Sequence, residues 1–174
     1  MPEQIEEGRL IGILLDLPLF EHMDGEQVAR ILSICKQRAV RPGEVLCEPQ
    51  TIDQQLFILV EGRLRLETAE GKKVAELTPV RSVGEMGVLT GLPRFSRIAV
   101  EEVSLVLEVK GAELEELCEE DPEMGQRMMA NLVRILYDRI HGMNEEAARR
   151  EQQVALLRQR LRELAPDDPL LRET

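Results

Sequence analysis

Glu85 and Arg94 lie nine positions apart in the stretch VGEMGVLTGLPRFSR, residues 83–97, which has Gly84 and Gly87 near its start. Two glycines this close let the backbone turn so that successive N–H groups converge into an anion-binding concavity. Arg94 would add a planar, permanently charged guanidinium that matches two phosphate oxygens. Phosphate would repel Glu85, so this carboxylate would instead accept a hydrogen bond from a neighbouring hydroxyl. The stretch predicts a site for a ribose phosphate; the alternative is an exposed ion pair on a surface turn, worth about 0–1 kcal/mol.

The composition is that of an ordered protein with an excess of negative charge. The chain has 174 residues, 43% hydrophobic and 32% charged, so we expect one core-forming domain with an appendage. Its net charge of −11 opposes direct binding to nucleic acid or to anionic lipid. No apolar run approaches the length of a membrane span. The three cysteines are odd in number and lack CxxC spacing, which indicates a reduced, cytoplasmic protein.

The first two thirds of the chain predict an α+β fold. Helical periodicity covers residues 3–16 and 24–38, with Asp24 as the expected N-cap of the second helix. From residue 41 to 110 the pattern changes to short strands separated by turn signals. Short strands without helices between them favour an antiparallel β-roll, or jelly roll, over a parallel sheet. The predicted strands are 44–47, 56–60, 63–68, 72–77, 97–102 and 104–109.

A long C-terminal helix follows the strands. After a short helix at 112–121, Pro122 is expected to begin a helix that reaches about residue 165, leaving 166–174 as a tail. Two sets of apolar residues recur in this helix at heptad spacing. β-Branched side chains are frequent in the first set and Leu and Met in the second, which favours a two-stranded parallel coiled coil. The sets are Val133, Ile140, Ala147, Val154 and Leu161, and Met129, Leu136, Met143, Leu157 and Leu164, with Arg150 interrupting the second.

The helix pattern therefore predicts a homodimer through residues 129–164. The domains are expected to be a β-roll with flanking helices at 1–121, a long dimerisation helix at 122–165 and the tail. The alternative is that the helix folds back on its own roll and its apolar stripe joins the core.

Several stretches resemble the cyclic nucleotide-binding domain of the catabolite activator and of protein kinase A regulatory subunits. The phosphate-binding cassette of that family reads roughly F-G-E-x-A-L-x-x-x-x-P-R-x-A. Here Val83-Gly84-Glu85-Met86-Gly87-Val88 leads, at matching spacing, to Pro93-Arg94-Phe95-Ser96. Four other stretches agree in order: LPLFE (17–21), RPGEVL (41–46), LFILVEGRLRL (56–66) and NLVRILYDRI (131–140).

The resemblance implies roles for the matching residues. Glu85 would accept the ribose 2′-hydroxyl and Arg94 would bind the cyclic phosphate. The phosphate cradle would be completed by Gly84 and by the backbone N–H groups of Met86, Phe95 and Ser96. The wall of the base pocket would come from Leu66, Val74 and Ala75, and Tyr137 or Arg139 of the long helix would cover the base.

The resemblance also implies a ligand and an output. Cyclic AMP is expected ahead of cyclic GMP, without a metal or other cofactor. Activators of this family usually continue into a winged helix-turn-helix that enters the major groove. Only about thirty residues follow Glu145, and they have a coiled-coil pattern, so we expect signalling to an unidentified protein partner rather than direct DNA contact.

A second function class is a degenerate, ligand-free dimeric scaffold. Phe95 stands where the family usually has a small residue, and Gln50 lies in a turn that commonly carries glycine. Both departures favour this alternative. Enzyme activity is not expected, because Ser82, Ser96 and Ser104 lack a histidine or lysine partner at a recognisable spacing.

Overall fold

The computed structural model describes residues 5–164, and it confirms the α+β fold with an antiparallel roll. Five α-helices, one short 3-10 helix and eight strands make up this part of the chain. The helices are α1 (Glu7–Leu15), the 3-10 helix Pro18–Phe20, α2 (Gly25–Ser33), α3 (Glu85–Thr90), α4 (Gly111–Glu120) and α5 (Pro122–Leu164). The strands are β1 (Lys36–Val40), β2 (Val45–Cys47), β3 (Gln55–Glu61), β4 (Leu64–Glu67), β5 (Lys73–Leu77), β6 (Arg81–Val83), β7 (Arg97–Val100) and β8 (Ser104–Lys110).

The strands form two four-stranded antiparallel sheets. One has the order β1-β8-β3-β6 and the other the order β2-β7-β4-β5. Apolar side chains from both sheets meet in one buried cluster, whose burial supplies the main stabilising term of the roll. Its members are Val40, Leu46, Cys47, Phe57, Leu59, Leu64, Val83, Ile98, Val100 and Val106.

Three elements differ from the sequence predictions. The second predicted helix ends at Ser33, and the residues expected to continue it to 38 enter strand β1 instead. Strand β6 was not predicted, because three residues carry too little periodicity to detect. Helix α3 begins at Glu85, inside a stretch for which the glycines indicated only a turn.

Asp24 is the N-cap of α2, as predicted. Its side chain accepts a hydrogen bond from the N–H of Gln27 at 2.9 Å, and the Gln27 side chain accepts one from the Asp24 N–H, which completes a capping box. Gln27 also donates through Nε2 to Asp121 at 3.1 Å, at the junction between α4 and α5. Arg30 of the same helix contacts Asp121 and Glu120. Helix α2 therefore holds the start of α5.

The chain divides into two compact units, one through Val133 and one from Arg134 onwards. The first part of α5 belongs to the first unit, where Met124, Met128 and Leu132 are buried. The predicted domain boundary at residue 122 stays a prediction. Residues 1–4 and 165–174, including the predicted tail, lie outside the described part of the chain.

Asn131 fastens α5 to the N-terminal helices. Its side chain is buried, and Nδ2 donates to the carbonyls of Leu19 at 3.0 Å and Glu21 at 2.9 Å. These two bonds satisfy backbone groups at the end of the 3-10 helix that would otherwise be desolvated without a donor.

We expect Asn131→Ala to lower the free energy of unfolding by about 2 kcal/mol, because it removes two hydrogen bonds at a buried site. Urea titration followed by circular dichroism measures the change. Asn144→Ala is the matched control on an exposed turn of the same helix, and it should change the free energy by less than about 0.5 kcal/mol. Equal effects of the two substitutions would contradict the anchoring role of Asn131.

Candidate functional site

The cassette begins with a left-handed glycine. Gly84 has φ 91° and is the N-cap residue of α3, so the chain turns sharply from β6 into the helix. Glu85 is the first residue of that helix and is only 2% exposed. Met86 follows in the first turn and is half-buried. The structure thus buries the carboxylate that the sequence singled out and places it directly after the turn.

Arg94 lies against this turn and does not point into solvent. Its side chain is 4% exposed. One terminal nitrogen, Nη1, donates to the Gly84 carbonyl at 2.8 Å, and Nη2 donates to the carbonyl of Gln55 at the start of β3. Nη2 also lies 3.7 Å from Oδ2 of Asp53. The guanidinium therefore connects the cassette to the loop before β3.

The two glycines make room for this guanidinium. A Cβ added to Gly84 would meet Nη1 of Arg94 at 2.2 Å and the Gln55 carbonyl oxygen at 2.7 Å. A Cβ at Gly87 would meet the same nitrogen at 3.0 Å. The glycines predicted to form an anion-binding turn thus allow the arginine to approach the backbone.

The main chain of Arg94 is held by the turn after β2. The Arg94 N–H donates to the carbonyl of Thr51 at 2.9 Å, and the Gln50 N–H donates to the carbonyl of Arg94 at 2.8 Å. We call this pair of bonds the backbone clamp. Gln50 adopts φ 63° within the turn, a left-handed conformation that favours glycine. The turn therefore keeps a glycine-like shape although it carries glutamine.

The charges around Arg94 also act on a buried thiol. Burial raises the pKa of Cys47 to about 11; the positive charge of Arg94 lowers that pKa, and the negative charge of Asp53 raises it. Cys47 therefore stays a neutral thiol near pH 7 and takes no part in the charge balance of the site.

A guanidinium carries five N–H groups, and two protein carbonyls account for two of them. Within residues 5–164, Nε of Arg94 is buried without a hydrogen-bond partner. A buried donor without an acceptor is unfavourable, and an anion would satisfy it. These groups fit a phosphate. In the same range, no cluster of three histidine, cysteine or acidic side chains could hold a metal ion.

Phe95 and Ser96, which follow Arg94, were predicted to complete the phosphate cradle. Phe95 is 75% exposed, so its ring does not fill the space beside the guanidinium. Ser96 is half-buried just before β7. Their backbone N–H groups remain predicted phosphate donors.

The predicted base-pocket residues lie on opposite faces of one sheet. Leu66 of β4 is paired with Ala75 of β5 on one side and with Ile98 of β7 on the other. Directly paired residues point to the same face, and Leu66 packs on the buried cluster, so Ala75 shares the inner face. Val74 is 59% exposed on the outer face. Leu66 and Ala75 therefore lie on the inner face and Val74 on the outer face, and the base-pocket roles of all three stay predictions.

Tyr137 and Arg139 belong to the second unit. The Tyr137 ring stacks on His141 one turn later, with centroids 6.0 Å apart. Their assignment as a cover over the base stays a prediction.

Sequence reasoning missed the groups that position Arg94. The two carbonyls and the backbone clamp involve only main-chain atoms. Every residue has such atoms, so no residue type in the sequence indicates these contacts. Asp53 is an acidic residue before a strong strand, but nothing in its spacing connects it to an arginine 41 positions later. One partial signal for this turn was present in the sequence, because Gln50 stands where glycine is common. The structure shows that Gln50 adopts the left-handed conformation that glycine would adopt.

The described residues thus form an antiparallel roll with a short helix between β6 and β7 and a buried arginine beside the first turn of that helix. Residues 37–121 match the family model described as the cyclic nucleotide-binding domain. This match identifies residues 37–121 as a cyclic nucleotide-binding domain.

Known proteins of several architectures are similar to this chain. A cyclic nucleotide-gated potassium channel of Rhizobium etli is 30% identical over 111 residues, covering 63% of this chain and 30% of the channel. The catabolite activator protein of Thermus thermophilus shares the fold with a TM-score of 0.64 at 24% identity, covering 75% of this chain and 62% of that one. The regulatory domain of Toxoplasma gondii protein kinase A, solved with cAMP, has a TM-score of 0.61 at 18% identity, covering 66% and 46%.

The chain spans 21–30% of the length of three curated relatives that it matches. Among the described residues, no helix is both long enough and apolar enough to cross a membrane.

We expect Gly84→Ala to be much more destabilising than Gly71→Ala. Both glycines have positive φ, 91° and 79°, so each alanine should cost about 1–2 kcal/mol in backbone strain. Only the Cβ at position 84 meets other atoms, whereas that at 71 enters open space. Urea denaturation should show an additional loss of at least about 2 kcal/mol for Gly84→Ala. Similar losses would mean that Arg94 does not occupy the glycine turn.

We expect Gln50→Gly to raise the free energy of unfolding by roughly 0.5–1 kcal/mol, because glycine adopts the left-handed conformation without steric strain. His22→Gly is a matched control, since His22 also has a left-handed φ, 65°, but lies outside the cassette. Thermal denaturation should show a similar gain for both variants. A loss of stability in Gln50→Gly alone would show that the glutamine side chain supports the clamp.

Proposed function

We infer that the chain is a regulatory module that binds a cyclic nucleotide, with cyclic AMP preferred over cyclic GMP, and signals through its C-terminal helix as a homodimer. The observation that carries this proposal is the buried Arg94 guanidinium. It is held against the Gly84 turn, and its Nε has no hydrogen-bond acceptor among the described residues. In this proposal the module acts on a protein partner in the cytoplasm. The free thiols of Cys35, Cys47 and Cys118 agree with that reducing compartment.

Arg94 is suited to a cyclic phosphate by its charge and by its fixed orientation. Two carbonyls and Asp53 hold the guanidinium before any ligand arrives, so little side-chain entropy is lost on binding. A cyclic phosphodiester carries one negative charge, which one guanidinium neutralises. Asp53 tempers the positive potential, and this disfavours anions that lack further contacts with the protein.

Glu85 supplies those further contacts in this proposal. It is buried beside the turn, and in the related family the matching residue accepts the ribose 2′-hydroxyl. Met86, Phe95 and Ser96 contribute backbone donors to the phosphate. Leu66 and Ala75 lie on the inner face of the roll, where an apolar wall for the base is available.

Regulation requires a differential affinity of the ligand for two arrangements of the protein. The proposed output element is α5, whose first turns are held by α2 and by Asn131. Tyr137 or Arg139 would contact the base in one arrangement only.

Titration calorimetry with cyclic AMP and cyclic GMP tests the role of Arg94. We expect Arg94→Lys to weaken binding by roughly 100-fold, because lysine cannot reproduce the two-pronged contact. Arg97→Lys is the matched control: Arg97 follows closely in β7, but it is partly exposed and pairs with Glu48 at 3.0 Å. Its affinity should stay within about twofold of the unmodified protein.

The role of Glu85 is tested with 2′-deoxy cyclic AMP. The unmodified protein should discriminate against the deoxy ligand, and Glu85→Ala should bind both ligands equally. If neither cyclic nucleotide binds the unmodified protein, the ligand-free scaffold is the correct function. If Arg94→Lys binds as well as the unmodified protein, the phosphate is held elsewhere.

A further inference from the structure

Asp53 places a negative charge beside the arginine of the site. Its Oδ2 lies 3.7 Å from Nη2 of Arg94, and the Asp53 side chain is 27% exposed. The thiol of Cys47 senses both groups: burial is the largest cause of its raised pKa, the charge of Arg94 lowers that pKa, and the charge of Asp53 raises it. The two charges therefore act together on the same buried wall of the roll, and Asp53 offsets part of the guanidinium charge there.

The backbone that carries Asp53 is fixed by contacts on both sides. The backbone clamp precedes it in the chain, and the carbonyl of Gln54, which follows it, accepts the N–H of Gly111 at 2.6 Å. The Asp53 carbonyl oxygen would lie 3.2 Å from a Cβ added to Gly87, so the first turn of α3 packs closely on this loop. The carboxylate thus belongs to a rigid part of the site.

The other charged groups near the cassette do not add positive charge to the cradle. Arg97, the next arginine along the chain, pairs with Glu48 at 3.0 Å and lies 3.9 Å from Glu67. Glu85 adds a further carboxylate, which is buried in the first turn of α3. An anion that binds Arg94 therefore meets one guanidinium that is flanked by carboxylates.

We propose that Asp53 makes the site selective for phosphodiesters with one negative charge and against phosphomonoesters with two. This inference rests on the proposed binding of a cyclic nucleotide, and it names the residue that separates this ligand from its hydrolysis product, a linear nucleoside monophosphate. A phosphomonoester carries a charge of about −1.5 to −2 at pH 7. The guanidinium of Arg94 neutralises the first negative charge, whereas the second is repelled by Asp53.

The size of the repulsion follows from the distance. An anion that accepts a hydrogen bond of about 2.8 Å from the guanidinium lies roughly 8 Å or less from the Asp53 carboxylate. At an effective dielectric constant of about 20, one extra charge at that distance changes an affinity by about thirtyfold. Because the carboxylate is partly exposed, solvent and salt screen part of this interaction, and we expect about tenfold.

Two linear ligands separate the effect of charge from that of shape. Adenosine 5′-monophosphate carries two negative charges at pH 8, and its methyl ester carries one on a similar open-chain phosphate. Their dissociation constants are measured by calorimetry in competition with cyclic AMP. We expect the unmodified protein to favour the methyl ester, and Asp53→Asn to reduce the ratio of the two constants by about tenfold. Any weaker support of Arg94 in the variant affects both ligands alike and cancels in this ratio.

Two further variants serve as controls. Asp53→Glu keeps the negative charge, so the ratio should stay within about threefold of that of the unmodified protein. Glu48→Gln removes a carboxylate from the same connection between β2 and β3, but Glu48 is half exposed and paired with Arg97. This substitution should change the ratio by less than about twofold. Equal effects of Glu48→Gln and Asp53→Asn would show that total charge, and not Asp53, sets the selectivity.

The outcomes distinguish this inference from the proposed function. If cyclic AMP binds and Asp53→Asn leaves the ratio unchanged, the role of Asp53 is wrong and the binding site remains. If cyclic AMP, cyclic GMP and both linear ligands fail to bind the unmodified protein, the proposed function and this inference are both wrong.

Discussion

The burial of one guanidinium is the constraint on which the site depends. Taking a charged group out of water is costly unless hydrogen bonds replace the lost solvation, and Arg94 obtains them from the carbonyls of Gly84 and Gln55. Those carbonyls belong to the turn before α3 and to the start of β3. The arginine can therefore be buried only when β3, the cassette turn and the loop that carries Arg94 are all in place, so formation of the site is tied to completion of the roll.

Sequence patterns predicted the elements whose residues alternate or repeat. Six strands were located within a few residues, and the long helix followed from its heptads. The first three residues of strand β1, 36–38, were predicted as helix because the polar residues of KQRAV lack alternation and the pairing partner, β8, lies about seventy residues away. Within the site, the meeting of Arg94 with the glycine turn was predictable from residue types. Its carbonyl acceptors and Asp53 were not, because they depend on which segments the fold brings together.

The two parts of α5, up to Val133 and beyond it, show how different interactions can govern one element. Up to Val133, the buried side chains of Met124, Met128 and Leu132 pack within the first unit. Asn131 adds a hydrogen bond to the carbonyl of Leu19. Beyond that point the same helix presents its apolar residues to solvent. The periodic sequence identifies both parts as helical, but only burial separates the part whose apolar residues are packed within the chain from the part whose apolar residues are exposed.

The backbone clamp between Gln50, Thr51 and Arg94 uses no side-chain atoms. Apart from proline at 50, which has no N–H to donate, and β-branched residues, which its left-handed conformation disfavours, residues 50 and 51 can change during evolution while the arginine keeps its place. The insertion or deletion of a single residue between β2 and β3 would displace it. Among relatives of this chain, the number of residues between β2 and β3 should therefore be a better indicator of an intact site than the identity of those residues.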